Sequence, residues 1–484
     1  MHRSLRTVAV ALVLTLAGAP ALAQTPEVEA RIQRITQGLL PSTRVAGRDY
    51  APRTLQALMA ETGVPAVSIA VINDGRIEWA RAWGQADVAS GRAATPDTLF
   101  QAASISKPVA ATAALDMVED GLLALDAPVN AALTGWTIPG NSFTEGHPVT
   151  LRQILAHTAG LTVHGFPGYA EGESVPTVEQ ILNGEPPANT AAVEVDQTPG
   201  SAQRYSGGGF TVMQLLMTQR ANQPFPALMQ ARVLGPAGMA ASAYDQPLAA
   251  DRRDLAATGY DGSGEPVAGR FHTYPELAAA GLWTTPSDLA RWVLALNDAW
   301  AGRSDAILDQ DTARAMMTRD QWGEGLAVVI REATELEFSH GGANEGFRCF
   351  VIGLPGRGQG LVVMTNGDNG QAITSAVTLA VAEEYGWTWR EARLITPVAL
   401  PAETMAAFVG QYEAGPELLV TLTVSPDGQS LMAAVPGDQT LEFIPQGEDR
   451  FIDADGRVRL GFERDESGAV VATLANGQRF PRRP

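Results

Sequence analysis

Two apolar runs, Ala66–Ile72 and Ile77–Trp83, alternate in polarity and meet at Asn73-Asp74-Gly75 within VPAVSIAVINDGRIEWARAWG. Alternation of period two around such a turn predicts a β-hairpin, because Asn, Asp and Gly tolerate the positive φ that a tight turn needs. Helical spacing follows. SKPVAATAALDMVEDG (106–121) runs out on Gly121, a C-terminal cap signal, and TLRQILAHTAG (150–160) runs out on Gly160. TTPSDLARWVLALNDAW (284–300) opens with Thr285 as N-cap, Pro286 at the first helical position and Asp288 placed to complete a capping box. Between Gly160 and Gly200 the density of Gly, Pro and Glu predicts a long surface excursion. Strand patterning returns in GLAVVIREATELEFSHGG (325–342), FRCFVIGLP and GLVVMTNG, and ITSAVTLAVAEEYG (373–386) predicts a closing helix.

Strands therefore come early and late in one unit, residues 24–390, with helices between them and a helix plus lead-in loop over 24–50. This order predicts an α+β fold: an antiparallel sheet built from both ends of the unit, flanked by helices, with an all-helical region inserted. Residues 391–401, part of EARLITPVALPAETM, read as a linker. In residues 402–484, short apolar strands alternate with the turns SPDGQ, VPGDQ, DADGR, DESGA and ANGQ, which predicts a small all-β sandwich or barrel. The chain contains no phosphate loop, no paired CxxC, no HExxH and no repeat array.

The first residues, MHRSLRTVAVALVLTLAGAPALAQ, combine a basic start, an apolar run and small residues at Ala21 and Ala23. They predict a secretory signal over residues 1–23, cut before Gln24. The apolar run is too short for a membrane span and is broken by Gly18 and Pro20. The expectation is a periplasmic or secreted protein with no transmembrane anchor after cleavage. Removal of the signal takes away Arg3 and Arg6 and no acid, so a formal charge of −19 becomes −21. Such acidity argues against nucleic acid, whose phosphates need clustered cations, and leaves a small-molecule or peptide-like substrate as the expected partner. It carries no information on oligomeric state. The single Cys349 excludes an internal disulfide and a cysteine metal cluster, and its apolar surroundings predict a buried small hydrophobe. With acidic residues scattered and no histidine pair at ligand spacing, nothing calls for a metal or an organic cofactor.

Of 34 basic side chains 33 are arginine, and the exception is Lys107, in ASISKPVA. If a helix starts near Ser104, Lys107 lies three residues on and shares its face, and Pro108 is tolerated in the first turn. Ser104 then sits at the helix N-terminus, where free N–H groups favour negative charge. A buried lysine loses its proton readily enough to serve as base for a serine, which arginine cannot do. Ser-x-x-Lys alone is a weak pattern. Its weight comes from Tyr-Ser-Gly at 205–207 and His-Gly-Gly at 340–342.

These motifs, together with LRQILAHTAGL, GLWTTPSDLARW and HGGANEGFRCFVIGLPGRGQGLVVMTNGD, resemble the class C β-lactamase and penicillin-binding-protein superfamily over roughly residues 50–390. The resemblance implies a β-lactamase/transpeptidase-like domain in which Ser104 attacks a carbonyl and forms an acyl-enzyme. It implies that Lys107 and Tyr205 share proton transfer, that N–H groups of Ser104 and Ala343 hold the oxyanion, and that His340 and Gly342 line the sheet side. Ser106 and His157 read as structural, and Gly207, Gly208 and Gly209 as close packing, since no lysine follows to make a phosphate cradle. Two departures stand out. The family's Tyr-x-Asn has Gly207 in place of the amide-gripping asparagine, and its Lys-Thr-Gly has His340 in place of the carboxylate-binding lysine. Both fall on substrate recognition, so the expected activity is that of an esterase or a D-amino-acid amidase or peptidase. The alternatives are a β-lactamase or cell-wall D,D-peptidase, and a non-catalytic binding protein on the same fold; retention of Ser104, Lys107 and Tyr205 argues against the last.

Overall fold

The computed structural model describes residues 25–415, 418–435 and 439–483. The expected signal, residues 1–23, lies outside them. The hairpin forms where the alternation places it: Ala66–Asn73 pairs with Arg76–Asp87, and Asp74 and Gly75 both take positive φ. Strands Leu336–Asn344, Phe347–Leu354 and Gln359–Thr365 arrive from the far end of the unit, and the last pairs antiparallel with Ala66–Asn73, Val363 opposite Ile69. Short strands Arg92–Ala93 and Val329–Glu332 form the edges, so that the described sheet has seven antiparallel strands. The two central strands, Ala66–Asn73 and Gln359–Thr365, are buried along almost their whole length, so in Ala66–Ile72 the expected alternation gives way to a nearly continuous apolar run.

Helices cover both faces. On one, Pro26–Gln37, Leu55–Thr62 and Gln371–Glu384 pack Ile35, Leu58 and Val377 onto Ile69 and Val363. On the other, Pro286–Trp300 and the inserted helical region bury Trp292, Leu155, Val109 and Phe210 in one core with Ile72 and Val351. The α+β architecture is thus the one the order of elements implies.

Local departures have tertiary causes. Helix Leu151–Leu155 stops well short of Gly160, because His157 takes φ +57 and its Nδ1 accepts the backbone N–H of Ser206 at 3.1 Å. The capping box at Thr285 is only half made. Thr285 Oγ1 accepts from Asp288 N, but the Asp288 carboxylate turns away to Ala241 N and Ser242 Oγ, both at 2.8 Å, and to Arg291. The stretch between Gly160 and Gly200 is not merely surface: it carries helix Val178–Asn183 and buries Tyr169, Leu182, Val193 and Val195. Its apolar residues are spaced singly among Gly and Pro, so their periodicity is invisible in the sequence.

Beyond residue 402, eight described strands between Gly410 and Pro481 each pair antiparallel with the next in chain order. A Tyr412–Arg482 bridge and a hydrogen bond from Arg483 N to Gln411 O (2.8 Å) bring the last strand back to the first. Of the two expected forms, this is the barrel. Phe408, following helix Ala402–Ala407, is buried in the core of this sheet, edge-on to Phe451 and tilted against Phe462. The stretch read as a linker contains a strand, Arg393–Ile395, which pairs in parallel with Thr43–Val45. Val45 and Ile395 bury against Ile444 and Ile452 of the barrel, and Arg48 pairs with Glu442 at 2.6 Å across the same junction. No helix among the described residues is long and apolar enough to cross a membrane.

Candidate active site

Every residue from Thr98 to Leu115 is buried except Ser104. The sequence places a helix start here. The structure makes it tighter: Ala103–Ile105 form a 3₁₀ turn and the α-helix proper is Ser106–Glu119. Ala103 has φ +50, a left-handed conformation that costs an L-residue about 1–2 kcal/mol. Neighbouring bonds hold it. Ser106 Oγ donates to Ala103 O (2.5 Å) and accepts from Leu282 N (3.0 Å), while the Tyr244 hydroxyl donates to Ser106 O (2.8 Å). Ser106 is therefore a structural clamp. Opposite the turn, a Cβ built on Gly342 would lie 2.3 Å from the Ala102 carbonyl oxygen, so glycine alone lets the sheet edge approach so closely.

Lys107 is 2% exposed. Its Nζ is hydrogen-bonded with Ser104 Oγ at 3.0 Å and with Ala279 O at 2.8 Å, and it lies 4.9 Å from the Tyr205 ring centroid and 5.8 Å from that of Phe210. No carboxylate among the described residues pairs with it, and burial brings its pKa down to about 7. Lysine ordinarily titrates near 10.4, so at pH 7 the neutral amine rises from about 1 in 2,500 to about half. That is the form able to accept a proton from the serine.

Tyr205 precedes helix Gly207–Ala221, whose N-cap is Ser206, and its ring lies 4.9 Å from Lys107 Nζ, on the Ser104 side of the site. Burial pushes its pKa up, the nearby Ser104 hydroxyl pulls it back somewhat and the charge of Glu324 adds to the rise, so the phenol stays protonated at neutral pH. Glu324 is itself pushed up to about 7, by burial and then by Asp320. On the sheet side, strand Leu336–Asn344 is paired by Val329–Glu332 only as far as Ser339. His340 to Asn344 thus face the nucleophile turn without an intervening strand, and Asn344 Nδ2 reaches across to Gln101 Oε1 at 2.8 Å. Ala343, on this edge, is exposed and can offer its N–H together with that of Ser104. His340 is 7% exposed and is pushed down to about 4, first by burial and then by the charge of Lys107. It is neutral at pH 7.

Ser104, Lys107, Tyr205, His340, Gly342 and Ala343 thus come together at one place. Gly207 begins the helix behind Tyr205 and contributes no side chain. His157 packs beneath Tyr205, centroids 4.2 Å apart, as a structural support. Cys349 is buried, donates to Gln101 O at 3.2 Å and has its thiol pushed up to about 12 by burial, as an inert small hydrophobe would. The sequence did not single out His164, which lies 4.9 Å from the Tyr205 ring, nor Glu324, because neither sits at a telling spacing. Among the described residues no group of three or more His, Cys, Asp or Glu could hold a metal ion.

A serine turned out of a buried helix start, with an uncompensated lysine beneath it, is equipped for acyl transfer, and the frame that holds it is the fold shared by β-lactamases and penicillin-binding proteins. The chain belongs to the Beta-lactamase family, whose model matches residues 51–384. It is 33% identical to Esterase EstB of Burkholderia gladioli, over 44% of this chain and 54% of that protein. It is 25% identical to the D-aminopeptidase of Gluconobacter oxydans (strain 621H), over 68% of this chain and 61% of the relative. The chain therefore spans between half and two thirds of either relative's own length. The octameric penicillin-binding protein homologue of Pyrococcus abyssi superposes with a TM-score of 0.60 at 22% identity, covering 88% of this chain and 98% of the other, which is a likeness of fold.

Proposed function

We propose that this chain is an exported serine hydrolase that cleaves esters or amides through an acyl-enzyme on Ser104. The observation that carries the proposal is the buried Lys107 amine bonded to Ser104 Oγ, with no carboxylate among the described residues paired to it. Neutral Lys107 takes the Ser104 proton as Oγ attacks the substrate carbonyl carbon. The oxyanion gathers at the N–H groups of Ser104 and Ala343. As the carbon–oxygen or carbon–nitrogen bond breaks, Lys107, directly or through the Tyr205 hydroxyl, returns a proton to the leaving alkoxide or amine. Water then attacks the acyl-enzyme along the same proton route, releasing the acid and restoring Ser104. Lys107 is the base in this scheme, because Tyr205 keeps its proton and Lys107 titrates near neutrality.

Ester or amide substrates are favoured over β-lactams by what the site lacks. Position 207 offers no side-chain amide, and His340 is neutral where a cation would be wanted for a substrate carboxylate. Two relatives carry names that fit this reading, an esterase and a D-aminopeptidase, while another, from Pseudomonas fluorescens, is named a β-lactamase. Export rests on the composition of residues 1–23. A fluorophosphonate probe is expected to label the parent and not Ser104→Ala; equal labelling of both sinks the nucleophile assignment. Rates on p-nitrophenyl acetate, D-alanine p-nitroanilide and a chromogenic cephalosporin then rank the substrates, and dominant turnover of the cephalosporin refutes the argument from Gly207 and His340.

A further inference from the structure

The C-terminal barrel closes on itself, Arg483 N bonding Gln411 O at 2.8 Å, yet its interior is filled unevenly. Phe408, Phe451 and Phe462 pack together with ring centroids between 4.4 and 5.6 Å apart. Elsewhere the facing positions are smaller. Ala433 stands opposite Leu422 on one neighbouring strand and Leu441 on the other, and Ala475 stands opposite Leu460. Residues directly opposed on paired strands share a face of the sheet, and these face inward around a cavity of about 130 Å³. Alanine among leucines leaves out the atoms that would fill the space, and an empty space forfeits dispersion contacts.

The chemistry of the wall decides what can enter. Among the described residues that form it, only Tyr412 and Thr473 carry a polar side-chain atom, and none is charged. Both hydroxyls are committed: Tyr412 donates to Phe408 O at 2.8 Å and Thr473 to Gly461 O at 3.0 Å. A water held in a cavity needs two to four polar partners, which this wall does not supply. A charged guest would lose its hydration and gain no partner. By contrast, an apolar cavity of about 150 Å³ stays dry and takes up benzene, and an eight-stranded barrel is wide enough to hold one small molecule. Val420, Val458 and Phe480, also on the wall, keep partial contact with solvent, which gives a guest a way in.

We propose that the interior of the barrel is a binding site for one neutral, apolar small molecule of about benzene size. The site is separate from Ser104 and stands whether or not the acyl-transfer reading holds. Its selectivity comes from what the wall withholds: with no free donor and no charge, it rejects any guest that must bring a polar group inside.

The test is a calorimetric titration of the whole chain with toluene, which is expected to show saturable uptake. Phenol matches toluene in size but must bury a hydroxyl without a partner, so it is expected to bind at least about tenfold more weakly. Ala433→Leu fills the space from the wall and is expected to abolish toluene binding. Absence of toluene binding by the parent, binding that survives in Ala433→Leu, or equal affinity for toluene and phenol each overturn the proposal. Far-ultraviolet circular dichroism matching the parent certifies that the variant is folded. If Ala433→Leu fails that check, Ala475→Leu, which fills the same cavity from another strand, takes its place and is read in the same way.

Discussion

Replacing Lys107 by methionine should make the protein inactive and, at neutral pH, more stable. Burial lowers the folded-state pKa of Lys107 to about 7, against about 10.4 in an unfolded chain. At pH 7 this mismatch costs the folded state about 4 kcal/mol. The sign follows from proton counts. Between about pH 7 and 10.4 the unfolded chain binds more protons at this residue, so the parent's stability rises with pH across that window and is flat below it. Methionine fills similar volume and removes the titration, but it forfeits the hydrogen bonds to Ser104 Oγ and Ala279 O, about 1 kcal/mol each. The net expectation is a gain of about 2 kcal/mol at pH 7, turning into a loss of about 2 kcal/mol above pH 10.5. Urea unfolding of parent and variant, followed by tryptophan fluorescence at both pH values, measures it. All nine tryptophans precede residue 391, so the signal reports the unit that holds the site and not the barrel. A difference in stability that stays constant between the two pH values refutes the buried, uncompensated lysine and the catalytic argument built on it.

The same lysine makes two kinetic predictions. The parent's kcat/KM should rise with pH through about 7 and level off above it, as Lys107 loses its proton, and a flat profile from pH 5 to 9 contradicts its role as base. Lys107→Arg keeps a cation that cannot deprotonate, so steady-state assays should show a loss of about a thousandfold or more, and near-parental turnover would exclude a neutral-lysine mechanism. Gly342→Ala puts a Cβ 2.3 Å from the Ala102 oxygen, forcing the strand away from the nucleophile turn. The expected result is a loss of about 1–3 kcal/mol in urea midpoints with activity down at least about tenfold, and unchanged activity would show that the close approach is not needed.

Reactive side chains were legible in the sequence where chemistry demands a residue type at a fixed spacing. Ser104 and Lys107 meet because positions three apart share a face, and the 3₁₀ turn in place of a helix start does not separate them. The hairpin at Asn73-Asp74-Gly75 was legible for a similar reason, since its turn chemistry is local. What escaped was decided between distant segments. His157 ends its helix early to meet Ser206, and Asp288 abandons its capping partner for Ala241 and Ser242. Barrel or sandwich depends on whether Tyr412 meets Arg482, which no alternation of apolar residues encodes. His164 reaches Tyr205 only because its loop folds back onto a helix some forty residues later, and the excess of Gly and Pro around it hides the fold.

The pairing of Ala66–Asn73 with Gln359–Thr365 ties two strands almost three hundred residues apart at the centre of the sheet. Such distant partners raise contact order and slow folding, since a long loop must close before the strands repay its entropy. They also order events during synthesis. A growing chain that has already delivered Ser104, Lys107 and Tyr205 still lacks the glycine-backed edge at His340–Ala343 and the central strand that carries it into place. The nucleophile is therefore armed only when the sheet closes, so the onset of chemistry waits for Gln359–Thr365 to be made and paired.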